Sequence, residues 1–173
     1  MAKSYELPDK INNFNVYDGK TKLVGVASEI TLPSLEPLTD TLNVAGMAGE
    51  IESEVIGSFG SMKIEIPFCN ISEDFFEFAA STNPVVLRGS MEIFNTKTQA
   101  KDTKPVVVTI KGRTLAIKPG VLKKGGKGEP GITKEITYMK ITIANKTQLE
   151  LDKLNSIFIM GGKDLLKKIR NQI

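Results

Sequence analysis

The 173-residue chain has no histidine, no tryptophan and a single cysteine, Cys69. Without histidine there is no imidazole base for a serine or cysteine nucleophile and no histidine ligand for a metal. One thiol allows no internal disulfide. In the context IPFCNIS, Cys69 reads as a small packed residue rather than a nucleophile. Serine–lysine and paired-carboxylate chemistries survive this composition, but no spacing argues for either, so no enzyme activity and no cofactor are expected. No apolar run approaches the ~20 residues of a membrane span, so no membrane anchor is expected. The N-terminal MAKSYELPDKINNF lacks the apolar core of a signal peptide, and the chain is expected to stay in the cytosol when made.

One motif invites a cofactor. GKGEPG, from Gly126 to Gly131, has the spacing G-x-G-x-x-G of dinucleotide-binding turns. That spacing works only where a helix leaves the glycines and turns its free N–H groups to the pyrophosphate. Here ITKEITYMKITIA follows, dense in Ile, Thr and Tyr, which reads as a strand. Asp152 lies about twenty residues on, where a ribose-binding acid could sit, but it ends another strand-like run. The stretch is therefore expected to be a solvated loop between strands.

Apolar residues make up 40% and charged residues 25% of the chain, ordinary values for one globular domain over residues 1–173. The net charge of +3 is unevenly spread. Residues 118–128 carry Lys118, Lys123, Lys124 and Lys127 with no acid, while residues 50–66 carry Glu50, Glu52, Glu54 and Glu65 against Lys63 alone. The lysine tract raises one alternative function, a nucleic-acid-binding β-barrel module. Such modules interleave aromatics with the basic groove so that bases stack, and this tract has none.

Most of the chain alternates with period two, so the expected class is mainly β with about two short helices. In EIESEVI the glutamates share one face, and in SMKIEIP the polar residues Ser61, Lys63 and Glu65 alternate with Met62, Ile64 and Ile66. A hairpin turning at Gly57–Gly60 pairs Val55 with Met62, Ile51 with Ile66 and Glu54 with Lys63. It also opposes Glu52 to Glu65, a like-charge contact costing ~0.2–1 kcal/mol. NFNVYD and KLVGVASEITLP are expected to form an opening hairpin around Asp18-Gly19. PVVLRGSMEIF and KPVVVTIKGRTLAIK follow as strands. In the latter, Val106, Val108 and Ile110 point inward, and the parity shifts to Leu115 and Ile117 across Gly112, as a β-bulge would do. KEITYMKITIA and QLELDKLNSIFIM complete the strands. Ser72 is expected to cap a helix, EDFFEFAAS, with Phe75, Phe78 and Ala79 inward. KDLLKKIRNQI is expected to form a second helix with Leu165, Leu166 and Ile169 on one side. LPSLEPLTDTLNVAGMAG (32–49), apolar but broken by Pro and Gly, reads as an extended loop.

The order of LPDKINNFNVYDG, GVASEITLPSLEP, VAGMAGEIESEVIGSFGSMKIEIPF and LDKLNSIFIMGGKDLLKKIRNQI resembles the major tail tube proteins of contractile-tailed phages and the tube proteins of phage-tail-like bacteriocins. The resemblance runs over roughly residues 8–171; the lysine- and glycine-rich segment 118–131 is not matched by it. It implies a compact antiparallel β-sandwich or small barrel, a structural virion subunit assembled in the host bacterial cytoplasm as hexameric rings with a large continuous inner β-barrel. These rings stack into a hollow tube inside a contractile sheath. The implied partners are further copies of the chain, the sheath protein, baseplate and tail terminator proteins, and double-stranded DNA in the lumen of a phage. Within that picture the 32–49 loop bridges subunits or rings through Leu38, Leu42, Val44 and Met47. Lys118, Lys123, Lys124 and Lys127 face the exterior or sheath. Glu50, Glu52, Glu54, Ser61, Lys63 and Glu65 line the lumen.

Overall fold

A computed structural model describes residues 5–46 and 48–172. Strands β1 (Glu6–Asp18), β2 (Thr21–Lys22), β3 (Pro37–Leu42), β4 (Ile51–Phe59) and β5 (Lys63–Pro67) precede helix α1 (Glu73–Ala80). They are followed by β6 (Val85–Asn95), β7 (Ala100–Lys118), β8 (Gly131–Ile143), β9 (Lys146–Asp152), β10 (Ile157–Met160), β11 (Lys163–Asp164) and the single turn α2 (Lys167–Arg170). Antiparallel pairing gives a nine-stranded sheet in the order β11-β10-β9-β8-β7-β6-β1-β2, with β5 added to β8; β3 and β4 form a sheet of their own. β5 occupies the N-terminal half of β8 and β9 its C-terminal half.

Alternation puts one apolar row after another on the same face of the large sheet. Val16, Leu87, Val108, Ile141 and Leu149 stand side by side across five strands, and Val85, Ile110, Met139, Leu151 and Phe158 form the next inward row. β5, paired beside β8, adds Ile64 and Ile66 to this core, and α1 adds Phe75, Phe78 and Ala79. Phe68 joins them, edge-on to Phe75 at 5.3 Å between ring centroids. Each such fully buried side chain contributes ~1.5–3 kcal/mol through water exclusion.

The expected helix forms as its cap dictates: the Ser72 hydroxyl accepts from the Phe75 N–H at 3.2 Å, with Glu73 and Asp74 in the first turn. The strands expected at β6, β7 and β8 form, and β7 shows register shifts at Lys111/Gly112 and Thr114/Ala116. Gly112 has a packing reason, because a Cβ there would lie 1.7 Å from the Glu135 carbonyl oxygen.

Several expectations are corrected. The 50–66 hairpin does not form. β4 pairs with β3, so Glu52 faces Thr41 and Glu54 faces Thr39, while β5 pairs with β8 and Glu65 faces Thr133. The Glu52–Glu65 opposition is therefore absent. Matching alternation fixes which face a residue takes, not which strand lies alongside. Within the expected 32–49 loop, Pro37–Leu42 is a strand. The opening turn forms, but its second strand ends at Lys22, and residues 23–32 contribute only the bridge Val26–Phe68. Leu115 and Ile117 are exposed rather than inward, because β7 overhangs β6, whose last pair is Val85–Ile110. A turn at residues 153–156 splits QLELDKLNSIFIM into β9 and β10. The C-terminal helix shrinks to Lys167–Arg170, since Lys163–Asp164 pair with β10 and only Leu166 of the three expected apolar residues is buried.

Candidate assembly surfaces

Three surfaces stand out from the packed body. The first is the β3–β4 ribbon. Every residue of β3 is exposed, as are Ile51, Glu52, Glu54, Val55 and Ile56 on β4. Directly opposed residues share a face, so Leu42 with Ile51 stands on one side and Thr41 with Glu52 on the other. One side carries Leu42, Ile51 and Val55 with Asp40 and Ser53 among them, and the other Glu52 and Glu54 with Thr39, Thr41 and Ile56. Asn43 donates to Glu50 at 3.1 Å across the ribbon's tip. At its base the ribbon is anchored: Phe59 meets Phe158 edge-on at 4.9 Å, and Lys153 donates to the Gly60 carbonyl at 2.7 Å. Leu38 and Leu42 lie on β3 and Val44 in the tip, all three exposed. Met47 lies outside the described residues.

The second surface is the β7–β8 loop, residues 119–130. Its stem is tied by backbone bonds from Val121 N–H to Gly128 O at 2.8 Å and from Gly128 N–H to Cys69 O at 3.2 Å. Gly120 sits at φ +78°, and a Cβ there would meet the Gly128 oxygen at 2.1 Å. The motif's last glycine opens β8, not a helix. Gly128 and Pro130 are buried, while 121–127 are exposed. Lys118 pairs with Glu65 at 2.9 Å. Lys123, Lys124 and Lys127 extend into solvent with no ion pair among the described residues.

The third surface is the outer face of the large sheet, where charges of both signs interleave. Arg88 lies over the Tyr17 ring at 5.0 Å and Lys111 over Tyr138 at 5.2 Å. Tyr138 donates to Glu150 at 2.9 Å, and Lys140 approaches Glu150 at 3.5 Å. Burial, reinforced by that bond to Glu150, pushes the Tyr138 hydroxyl up to about 12.

The six residues expected along a lumen do not share one sheet. Glu52 and Glu54 belong to the ribbon, with Glu50 at its tip, and Lys63 and Glu65 to β5; Ser61 donates to Glu135 at 2.7 Å. Lys134 escaped the sequence reading altogether. It is 1% exposed and donates to the carbonyls of Ser81 at 2.9 Å and Phe78 at 3.3 Å, its ammonium 4.4 Å from the centroid of the Phe78 ring. Burial pushes its pKa below the usual lysine range, with the Asp18 carboxylate opposing. The available signal was its parity with Ile132 and Ile136, which made it a lysine on the inward face. Among the described residues no three acidic or sulfur ligands converge on one point, and no helix is long and apolar enough to cross a membrane.

The model of the family described as phage tail tube protein FII matches residues 8–173. The tail tube protein of Escherichia phage P2 is 27% identical over 172 residues, covering 96% of this chain and 98% of that one. The major tail tube protein of Serratia phage KSP20 is 26% identical over 160 residues, covering 92% and 91%. In fold, the chain is similar to the sheath/tube terminator of an extracellular contractile injection system, PVC, in its extended state. The TM-score is 0.53 at 11% identity, over 79% of this chain and 97% of that one. The family match runs through nearly the whole length of a mainly β chain and leads to one conclusion: the chain belongs to the phage tail tube protein FII family and is a structural subunit of a tail tube.

Proposed function

We propose that this chain polymerises with itself as stacked hexameric rings that enclose a hollow conduit, with a sheath around it and baseplate and terminator proteins at its ends. In a genome-carrying phage the conduit passes double-stranded DNA. The observation that carries self-assembly is the β3–β4 ribbon. A two-stranded ribbon is marginal in water by itself, yet this one projects apolar side chains that stay about half exposed among the described residues. Such an element makes physical sense when a neighbouring molecule covers it.

Thr39 and Glu54 face each other across the ribbon, so a two-residue Asn-Gly turn can join them and remove everything beyond. The shortened chain is expected to remain a folded monomer and to form no tubes by negative-stain microscopy at concentrations where the intact chain does. Normal tubes from the shortened chain would remove the ribbon's role. Failure of the intact chain to form rings or tubes at any concentration would remove the tube reading.

A further inference from the structure

The chain segregates its charge. From Leu23 to Met62 it carries Glu29, Glu36, Asp40, Glu50, Glu52 and Glu54 with no Lys or Arg; from Thr103 to Gly128 it carries Lys and Arg with no Asp or Glu. The fold gives these two blocks places. β5 runs from Lys63, opposite Glu135, to Pro67, opposite Gly131. The acidic ribbon leaves the body just before Lys63, anchored at Phe59 and Gly60. The basic β7–β8 loop closes on Gly131 at the other end. The two bases are separated by the length of β5, ~14 Å at ~3.4 Å per residue. The ribbon's β4 adds a reach of ~27 Å by the same rise.

The basic end is also apolar and open. Leu115, Ile117, Val121 and Leu122 are exposed, Leu122 at 93%. Beyond Ile110, β7 has no β6 partner, so its last residues present an edge that another strand can approach. An acidic ribbon and a basic strand end, each with exposed apolar side chains, are complementary in charge and in hydrophobicity.

We infer that the acidic β3–β4 ribbon of one copy docks on the basic, apolar end of a second copy, formed by the overhang of β7 and the loop carrying Lys123, Lys124 and Lys127. This rests on the tube reading and names the surface that receives the ribbon. Because each copy carries both surfaces at different places on its body, the contact is heterologous and repeats from copy to copy.

A charge exchange tests it. Glu50→Lys, Glu52→Lys and Glu54→Lys form one variant, Lys123→Glu, Lys124→Glu and Lys127→Glu a second, and all six substitutions a third. All sites are exposed, and retained far-UV circular dichroism and a cooperative unfolding transition identify the folded variants. Each three-site variant is expected to lose tubes in negative stain, and the six-site variant to regain them. Normal assembly by either three-site variant, or no recovery in the six-site variant, would overturn the inference while leaving the tube reading intact if the intact chain forms tubes. A covalent measurement gives a second check. Glu52→Cys with Lys124→Cys, in a Cys69→Ser background, is expected to yield a ladder of disulfide-linked multimers on oxidation of assembled material. Only monomer on a denaturing gel would refute the contact.

Discussion

Lys134 ends α1 from outside the helix. An eight-residue helix leaves carbonyls at its C-terminus without intrahelical partners, and this one has no basic residue in its last turn. An ammonium from β8 takes the carbonyls of Phe78 and Ser81 instead. Lys134→Met keeps the volume but takes the ammonium from the Ser81 carbonyl, while Phe78 O keeps the Ser81 N–H, and is expected to lower stability by ~1–3 kcal/mol in urea unfolding. The pH dependence separates this from simple repacking. Because the folded pKa lies below the ordinary 10.5, the unfolded chain binds the extra proton between the two values. Stability from this group therefore rises with pH across that window. The advantage of the native chain over the Met variant is expected to grow as pH climbs towards 10.5. Tyr138 has the opposite sign. Its pKa is raised from 10.0 to about 12, so the folded chain keeps a proton that the unfolded chain loses. Stability from Tyr138 falls with pH through that interval, and Tyr138→Phe is expected to flatten the fall.

Among the elements, β7 depends on one missing side chain. Gly112→Ala places a Cβ on the Glu135 carbonyl, and backbone rather than a flexible side chain must move. A cost of ~1–3 kcal/mol is expected by denaturant titration. Ser72→Ala is expected to cost about 1 kcal/mol by the same measurement, from the lost cap on α1. The capped helix and strands β6 to β8 were legible because cap chemistry and alternation are local. Strand partnership is not local. SEVIGSFGSMKIEIP alternates well enough for a hairpin, yet β8 offers β5 a fully buried neighbour in Ile132, and β4 turns away to β3. The C-terminal helix failed for a related reason: pairing of Lys163–Asp164 with β10 uses the residues that would have begun it. Both charge blocks could be read from composition. Their positions at the two ends of β5 could not, since those follow from pairings far apart in the sequence.

For the whole molecule, the ribbon and the body are separate in energy. The exposed ribbon adds little buried area to the core, so replacing residues 40–53 by Asn-Gly is expected to leave the midpoint of urea unfolding nearly unchanged. Assembly should respond where folding does not. Raising salt from physiological strength to ~1 M shortens the screening length from ~8 to ~3 Å. The initial rate of tube growth, followed by light scattering, is expected to fall, while the monomer's unfolding midpoint does not follow it. The ribbon leaves one end of β5 and the lysine loop closes the other. Copies joined ribbon to loop all point the same way, so the polymer has a polarity. Where the contact joins one ring to the next, one terminus shows free ribbons and the other free loops, however many rings lie between. Growth at the two termini then presents different chemistry to an incoming subunit, and a protein shaped to stop one terminus would not fit the other.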